Sequence, residues 1–155
     1  MPRVYIAIGS NVGDRRAAIE HACLGLAALG PVRLSRAHET APVGGPAGQG
    51  AFLNAVAELD TSLEPRDLLA RLQAIEQAIG REPVGRRQRW GPRVLDLDVL
   101  FYDDRVIDEP GLRVPHPRLH ERAFVLLPLA ELAPELVHPV RGQTVAQMLA
   151  ELESD

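Results

Sequence analysis

The chain has 155 residues, 46% hydrophobic and 25% charged, with a net charge of −4; these values describe one soluble globular domain, residues 1–155, with enough chain for a real core. The acidic balance argues against a nucleic-acid binder, and no apolar run is long enough for a membrane span or a signal peptide. A single cysteine, Cys23, excludes an intrachain disulfide and suits a reducing cytoplasm.

Val4 to Ile8 reads as a buried first strand, and Gly9-Ser10-Asn11-Val12-Gly13-Asp14 as a turn into a helix. In that helix Ile19, Ala22, Cys23, Leu26 and Leu29 recur at helical spacing before Gly30-Pro31 ends it. Cys23 on this apolar face is expected to be a buried core residue. Val32 to Thr40 reads as a second strand, 41–50 as a Gly/Pro-rich loop, and Phe52 to Leu59 as a third strand. Pro65 opens a second helix with an apolar stripe at Leu68, Leu72, Ile75 and Ile79.

A polar loop over 81–92 leads into a fourth strand, Val94 to Tyr102. Asp103-Asp104 then turns the chain into a short strand around Arg105 to Ile107. A Pro-rich loop (Val114-Pro115-His116-Pro117), a short helix after Glu121 and a C-terminal helix over Val145 to Leu152 complete the chain. The order β-α-β-β-α-β predicts an α+β, ferredoxin-like sandwich: a mainly antiparallel sheet, helices on one face, and additional C-terminal elements.

Side chains two apart in a strand share a face. Leu95, Leu97 and Val99 therefore point to the helices, and Asp96 and Asp98 project together on the open side. The same alternation puts Phe52 and Asn54 on that side. An acid pair on an apolar strand has two readings. It is either an ordinary solvated face, or a site for divalent ions about 4 Å apart that bridge phosphate oxygens to the strand. Arg81, Arg86, Arg87, Arg89 and Arg93 just upstream favour the second, because all 17 basic residues are arginine, the planar fork that grips phosphate. Trp90 reads as a packing anchor, Phe52 and Phe124 as core by default, and His116 as either a loop residue or a phosphate contact. Gly9-Ser10-Asn11 lacks the spacing of a P-loop.

The blocks Ile6-Ala7-Ile8-Gly9-Ser10-Asn11, Thr40-Ala41-Pro42-Val43-Gly44, Phe52-Leu53-Asn54-Ala55, Gln73-Ala74-Ile75-Glu76 and Gly80-Arg81 occur in that order. Arg89-Trp90-Gly91-Pro92-Arg93 through Asp96-Leu97-Asp98, Val114-Pro115-His116-Pro117 and Arg122-Ala123-Phe124-Val125-Leu126 follow. Together they resemble the 6-hydroxymethyl-7,8-dihydropterin pyrophosphokinase family of folate biosynthesis along nearly the whole chain. The resemblance implies transfer of a pyrophosphoryl group from ATP, the co-substrate, to the pterin hydroxymethyl oxygen, with release of AMP.

By the same resemblance, Asp96 and Asp98 bind two Mg²⁺ ions and, with Arg81 and Arg93, form the catalytic group. The pterin lies between Phe52 and Phe124, against Asn54 and the segment containing Thr40, Pro42 and Val43. Gln73, Glu76, Trp90, Arg93, Val99, His116 and Arg122 match positions at or near ATP. The expected partners are these two small molecules only, with no nucleic acid or membrane, for a cytoplasmic monomer or weak dimer. Two other classes share the sheet: a metal-dependent nucleotidyl transferase or cyclase, which releases pyrophosphate, and a non-catalytic binding module. An RNA-binding module needs exposed aromatics where this strand offers carboxylates.

Overall fold

The computed structural model describes residues 1–40, 51–79 and 94–154. Its first strand, β1 (Arg3–Ser10), is buried at Val4, Tyr5, Ile6, Ile8, Gly9 and Ser10. Burial on both faces reflects layers packed above and below the sheet, and β1 is also central within it. β4 (Phe52–Asp60) pairs with one edge of β1 and β5 (Asp96–Tyr102) with the other, both antiparallel. β2 (Val32–Leu34) and β3 (His38–Thr40) pair in succession with the outer edge of β4, also antiparallel. The resulting order, β2/β3-β4-β1-β5, is the ferredoxin-like arrangement expected from the β-α-β-β-α-β pattern.

The expected second strand over Val32 to Thr40 is broken in two. Leu34 stands opposite Ala57 and His38 opposite Asn54, four steps on one strand against three on the other. The extra residue is a bulge, and Ser35 bridges it. Its N–H donates to the Val56 carbonyl and its Oγ accepts the Val56 N–H, both at 2.9 Å. A hydroxyl there takes the place of a backbone acceptor.

α1 (Arg15–Ala27) starts at Asp14, whose Oδ1 accepts the Ala17 N–H at 3.1 Å. After it the chain returns so close to the sheet that a Cβ on Gly30 would lie 1.9 Å from the Asp60 carbonyl. α1 and α2 (Pro65–Ala78) bury Ile19, Ala22, Leu26, Leu68 and Leu72 against Val4, Ile6, Ile8, Leu53, Leu59, Leu95, Leu97 and Val99. Cys23 is only half-buried, a correction to the expected core position: it lies at the rim of the α1 stripe, whose centre is Ala22 and Leu26.

The second sheet face is covered too, but over half its length. α3 (Ala123–Leu132) and α4 (Val145–Glu153) pack Val125, Leu126, Leu129, Val145 and Met148 against Tyr5, Val56, Leu100 and Phe101. A bulge in β5 makes this fit. Ile6 pairs with Val99 and Tyr5 with Phe101, so Leu100 is extra, and Leu100 and Phe101 both face α3 and α4. β6 (Ile107–Glu109) begins two residues later than the expected strand and pairs with β7 (Leu112–Val114), closing the first core. Among the described residues no helix is long and apolar enough to cross a membrane.

Candidate active site

The uncovered half of the second face is a valley whose floor follows from strand alternation. Beyond Tyr5, β1 presents Ala7 and Gly9; beyond Val56, β4 presents Asn54 and Phe52; beyond Leu100, β5 presents Asp98 and Asp96. Register aligns them into rungs. His38, Asn54, Gly9 and Asp96 stand in one row across four strands, and Ala7 stands beside Asp98. Two strand spacings put Asn54 and Asp96 roughly 10 Å apart along the floor. The central residues are the small ones, which keeps the floor low.

Later elements raise the walls. Thr40 rises from β3, Arg122, Phe124 and Val125 from the start of α3, and His116, Arg118 and Glu121 from the segment before it. The cavity between these walls is about 380 Å³ and open to solvent, within the range of small-molecule sites. At one end Asn54 is buried and its amide Nδ2 donates to Thr40 Oγ1 at 2.6 Å. Phe52 and Phe124, both half-buried, add ring surface, and the Arg122 guanidinium carbon sits 5.6 Å from the Phe124 ring centroid. Gly9 is the close-approach position: a Cβ there would lie 3.2 Å from Asn54 Oδ1 and 3.6 Å from Phe52 Cδ1.

At the other end the half-buried Asp96 and the exposed Asp98 line the cavity together with His116, Arg118, Glu121 and Arg122. Arg118 Nε donates to Glu121 Oε2 at 3.2 Å, and the Arg118 N–H donates to His116 Nδ1 at 3.2 Å. Burial, then Arg122 and Arg118, push the His116 ring down to about 4, so it is neutral at pH 7. Two carboxylates supply hard oxygen donors, and among the described residues no group of three or more His, Cys, Asp and Glu closes a cage around them. Such an open pair suits an ion that keeps water and phosphate oxygens in its shell.

Of the residues singled out from the sequence, Thr40, Phe52, Asn54, Asp96, Asp98, His116, Arg122 and Phe124 therefore meet in one cavity. Gln73, Glu76 and Val99 do not line it. Gln73 is exposed on α2, Val99 is packed in the first core, and Glu76 is buried on α2 with Oε2 accepting the Leu97 N–H at 2.7 Å. Pro42, Val43, Arg81, Trp90 and Arg93, with Arg86, Arg87 and Arg89, lie outside the described residues. Sequence reasoning missed Gly9, Ala7, Arg118 and Glu121 as lining residues. For Gly9 and Ala7 the signal was available, since they share the face that alternation assigns opposite Ile6 and Ile8.

Comparison with known proteins gives the family. The profile of the family described as 7,8-dihydro-6-hydroxymethylpterin-pyrophosphokinase (HPPK) matches residues 5–134. The chain is 44% identical over 155 residues to the 2-amino-4-hydroxy-6-hydroxymethyldihydropteridine pyrophosphokinase of Methylorubrum extorquens, covering 99% of this chain and 95% of the relative. To the enzyme of the same name from Pseudomonas aeruginosa it is 47% identical over 151 residues, with coverages of 96% and 90%. Among solved structures, a Plasmodium falciparum HPPK-DHPS crystallised with pterin and p-hydroxybenzoate superposes with a TM-score of 0.77 at 16% identity. That match covers 99% of this chain but only 44% of the crystallised one, and it shows the fold alone. The chain belongs to the 7,8-dihydro-6-hydroxymethylpterin-pyrophosphokinase family.

Proposed function

We propose that this valley transfers the pyrophosphoryl group of ATP to the hydroxymethyl oxygen of 6-hydroxymethyl-7,8-dihydropterin, giving AMP and the pterin diphosphate for folate synthesis. The observation that carries the proposal is the rung joining Asn54, Gly9 and Asp96, which sets a slot for a flat ring beside an acid pair. Phe52 and Phe124 supply the faces for such a ring, and Asn54, held by Thr40, supplies an in-plane hydrogen bond. Pro42 and Val43 extend the same edge in this reading.

Asp96 and Asp98 would hold two Mg²⁺ ions, a role their open donor set fits. When bound, the ions supply neutralisation and orientation of the triphosphate. Phosphoryl transfer asks for in-line placement and charge compensation more than covalent help from the protein. Arg122 and neutral His116 line the cavity on the phosphate side of this reading, with Arg81 and Arg93 assigned to the same group. Trp90 belongs to the nucleotide side in this reading, with Gln73 and Val99 reached from outside the described cavity. The enzyme works in the cytoplasm, where the Cys23 thiol stays reduced. It acts as a one-domain monomer or weak dimer on its two small substrates, without nucleic acid or membrane.

The test is a product analysis of purified protein with ATP, Mg²⁺ and the dihydropterin alcohol. AMP and pterin diphosphate in equal amounts are expected. Release of pyrophosphate would indicate nucleotidyl transfer instead, and absence of turnover would leave a binding module.

A further inference from the structure

β5 is the edge strand of the sheet, and it carries both acids. In an antiparallel ladder alternate residues direct their N–H groups toward and away from the neighbouring strand. At the edge, the outward groups need another partner or water. Leu97, the residue between Asp96 and Asp98, has one: its N–H donates to Glu76 Oε2 at 2.7 Å. The carboxylate reaches it from α2, and Glu76 is 7% exposed. Leu97 itself is buried in the first core with Leu72, while Ala7 and Gly9 of β1 stand opposite Asp98 and Asp96. The Asp-Leu-Asp segment is therefore held by β1 on one edge and by a buried helix carboxylate on the other.

We infer that Glu76 is a positioning residue of the acid pair: by accepting the Leu97 N–H it fixes the backbone on which Asp96 and Asp98 converge. The inference rests on the metal-holding role proposed for those two acids. Mg²⁺ demands near-ideal ligand geometry, so a small rotation of one peptide at Leu97 would splay both carboxylates together. A carboxylate is a strong acceptor for a backbone N–H, and one delivered from a helix restrains the strand more than water at an open edge.

The test uses Glu76→Met, close in size but without an acceptor, and Glu76→Gln, whose amide oxygen can still take the Leu97 N–H. Thermal melting establishes that each is folded. Glu76→Met is expected to raise the Mg²⁺ concentration for half-maximal turnover by about 10-fold, the size of other outer-shell losses at metal sites, with the pterin KM unchanged. Glu76→Gln is expected to recover most of that loss. In metal-free protein the Leu97 amide is expected to be protected from hydrogen exchange in the wild type and in Glu76→Gln, and to lose that protection in Glu76→Met.

A Glu76→Met enzyme with wild-type Mg²⁺ dependence overturns the inference. So does a Glu76→Gln enzyme as impaired as Glu76→Met, which would make the charge the active feature. If Glu76→Met fails to fold, an unprotected Leu97 amide in the wild type still overturns it. Asp98→Asn measured alongside separates the two ideas. An active Asp98→Asn enzyme overturns the metal reading and the inference with it. An inactive one beside a normal Glu76→Met enzyme overturns the inference alone.

Discussion

The Nδ1 atom of His116 accepts the backbone N–H of Arg118 at 3.2 Å, which leaves Nε2 as the protonated nitrogen of the neutral ring. Burial first, then Arg122 and Arg118, hold the ring down to about 4 from its ordinary 6.5. Between those two values the unfolded chain binds a proton that the folded chain refuses. Stability from this group is therefore complete above 6.5 and is lost as pH falls toward 4. Urea midpoints across this range are expected to fall more steeply for the wild type than for His116→Asn. Parallel slopes would reject the buried neutral ring.

Asp96 and Asp98 differ in exposure but line the same cavity. Exchanging either for asparagine preserves its size and removes its charge. Each variant is expected to lose about 10²-fold or more in kcat, as for other positioned electrostatic groups, while its melting temperature and its metal-free pterin binding stay unchanged. Near-normal turnover of either variant would remove that residue from the metal site.

Gly9 has no side chain because Asn54 and Phe52 occupy the space above it. A Cβ would lie 3.2 Å from Asn54 Oδ1, so the amide or the strand must yield. Gly9→Ala is expected to weaken pterin binding about 10-fold, within the usual cost of overpacking, with no change in the ATP KM. Calorimetric titration of the pterin decides it, and an unaltered affinity would show that the slot has slack.

The acid pair, the ring at Phe52 and the amide at Asn54 were legible because strand alternation needs only local spacing. The helical stripe over Leu68, Leu72 and Ile75 was legible for the same reason. What stayed hidden depends on contacts between distant segments. Nothing local says that α3 and α4 cover the sheet as far as Tyr5 and Val56 and stop, yet that limit creates the valley. The Leu100 bulge is equally silent, since V-L-F-Y reads as uninterrupted strand; only register against β1 exposes it. Ser35 reads as an ordinary strand residue until Val56 stands opposite. The β6–β7 hairpin did have a signal, Pro110-Gly111 with Gly111 at φ 75°, a turn dipeptide flanked by short apolar runs. Cys23 misled because helical periodicity marks a stripe without marking where its rim begins.

Thr40 and Asn54 come from different strands, and their bond at 2.6 Å turns the amide Nδ2 toward β3. β3 pairs with β4 so that Thr40 stands beside Phe52 and His38 beside Asn54. The hydroxyl therefore reaches Asn54 diagonally, as same-face side chains on neighbouring strands do. Thr40→Val keeps the β-branched shape and removes the acceptor, leaving a buried Nδ2 without its partner. The cost of such a group is about 1–3 kcal/mol, and it is relieved if the amide turns. Either response disturbs the in-plane hydrogen bond proposed for the pterin. The pterin KM of Thr40→Val is expected to rise about 10-fold, the effect of losing one such contact, while kcat at saturating pterin and the ATP KM hold steady. Thr40→Ser keeps the hydroxyl and is expected to behave as wild type. If Thr40→Val and Thr40→Ser give the same pterin KM, the hydroxyl does not set the amide, and the slot is held by packing alone.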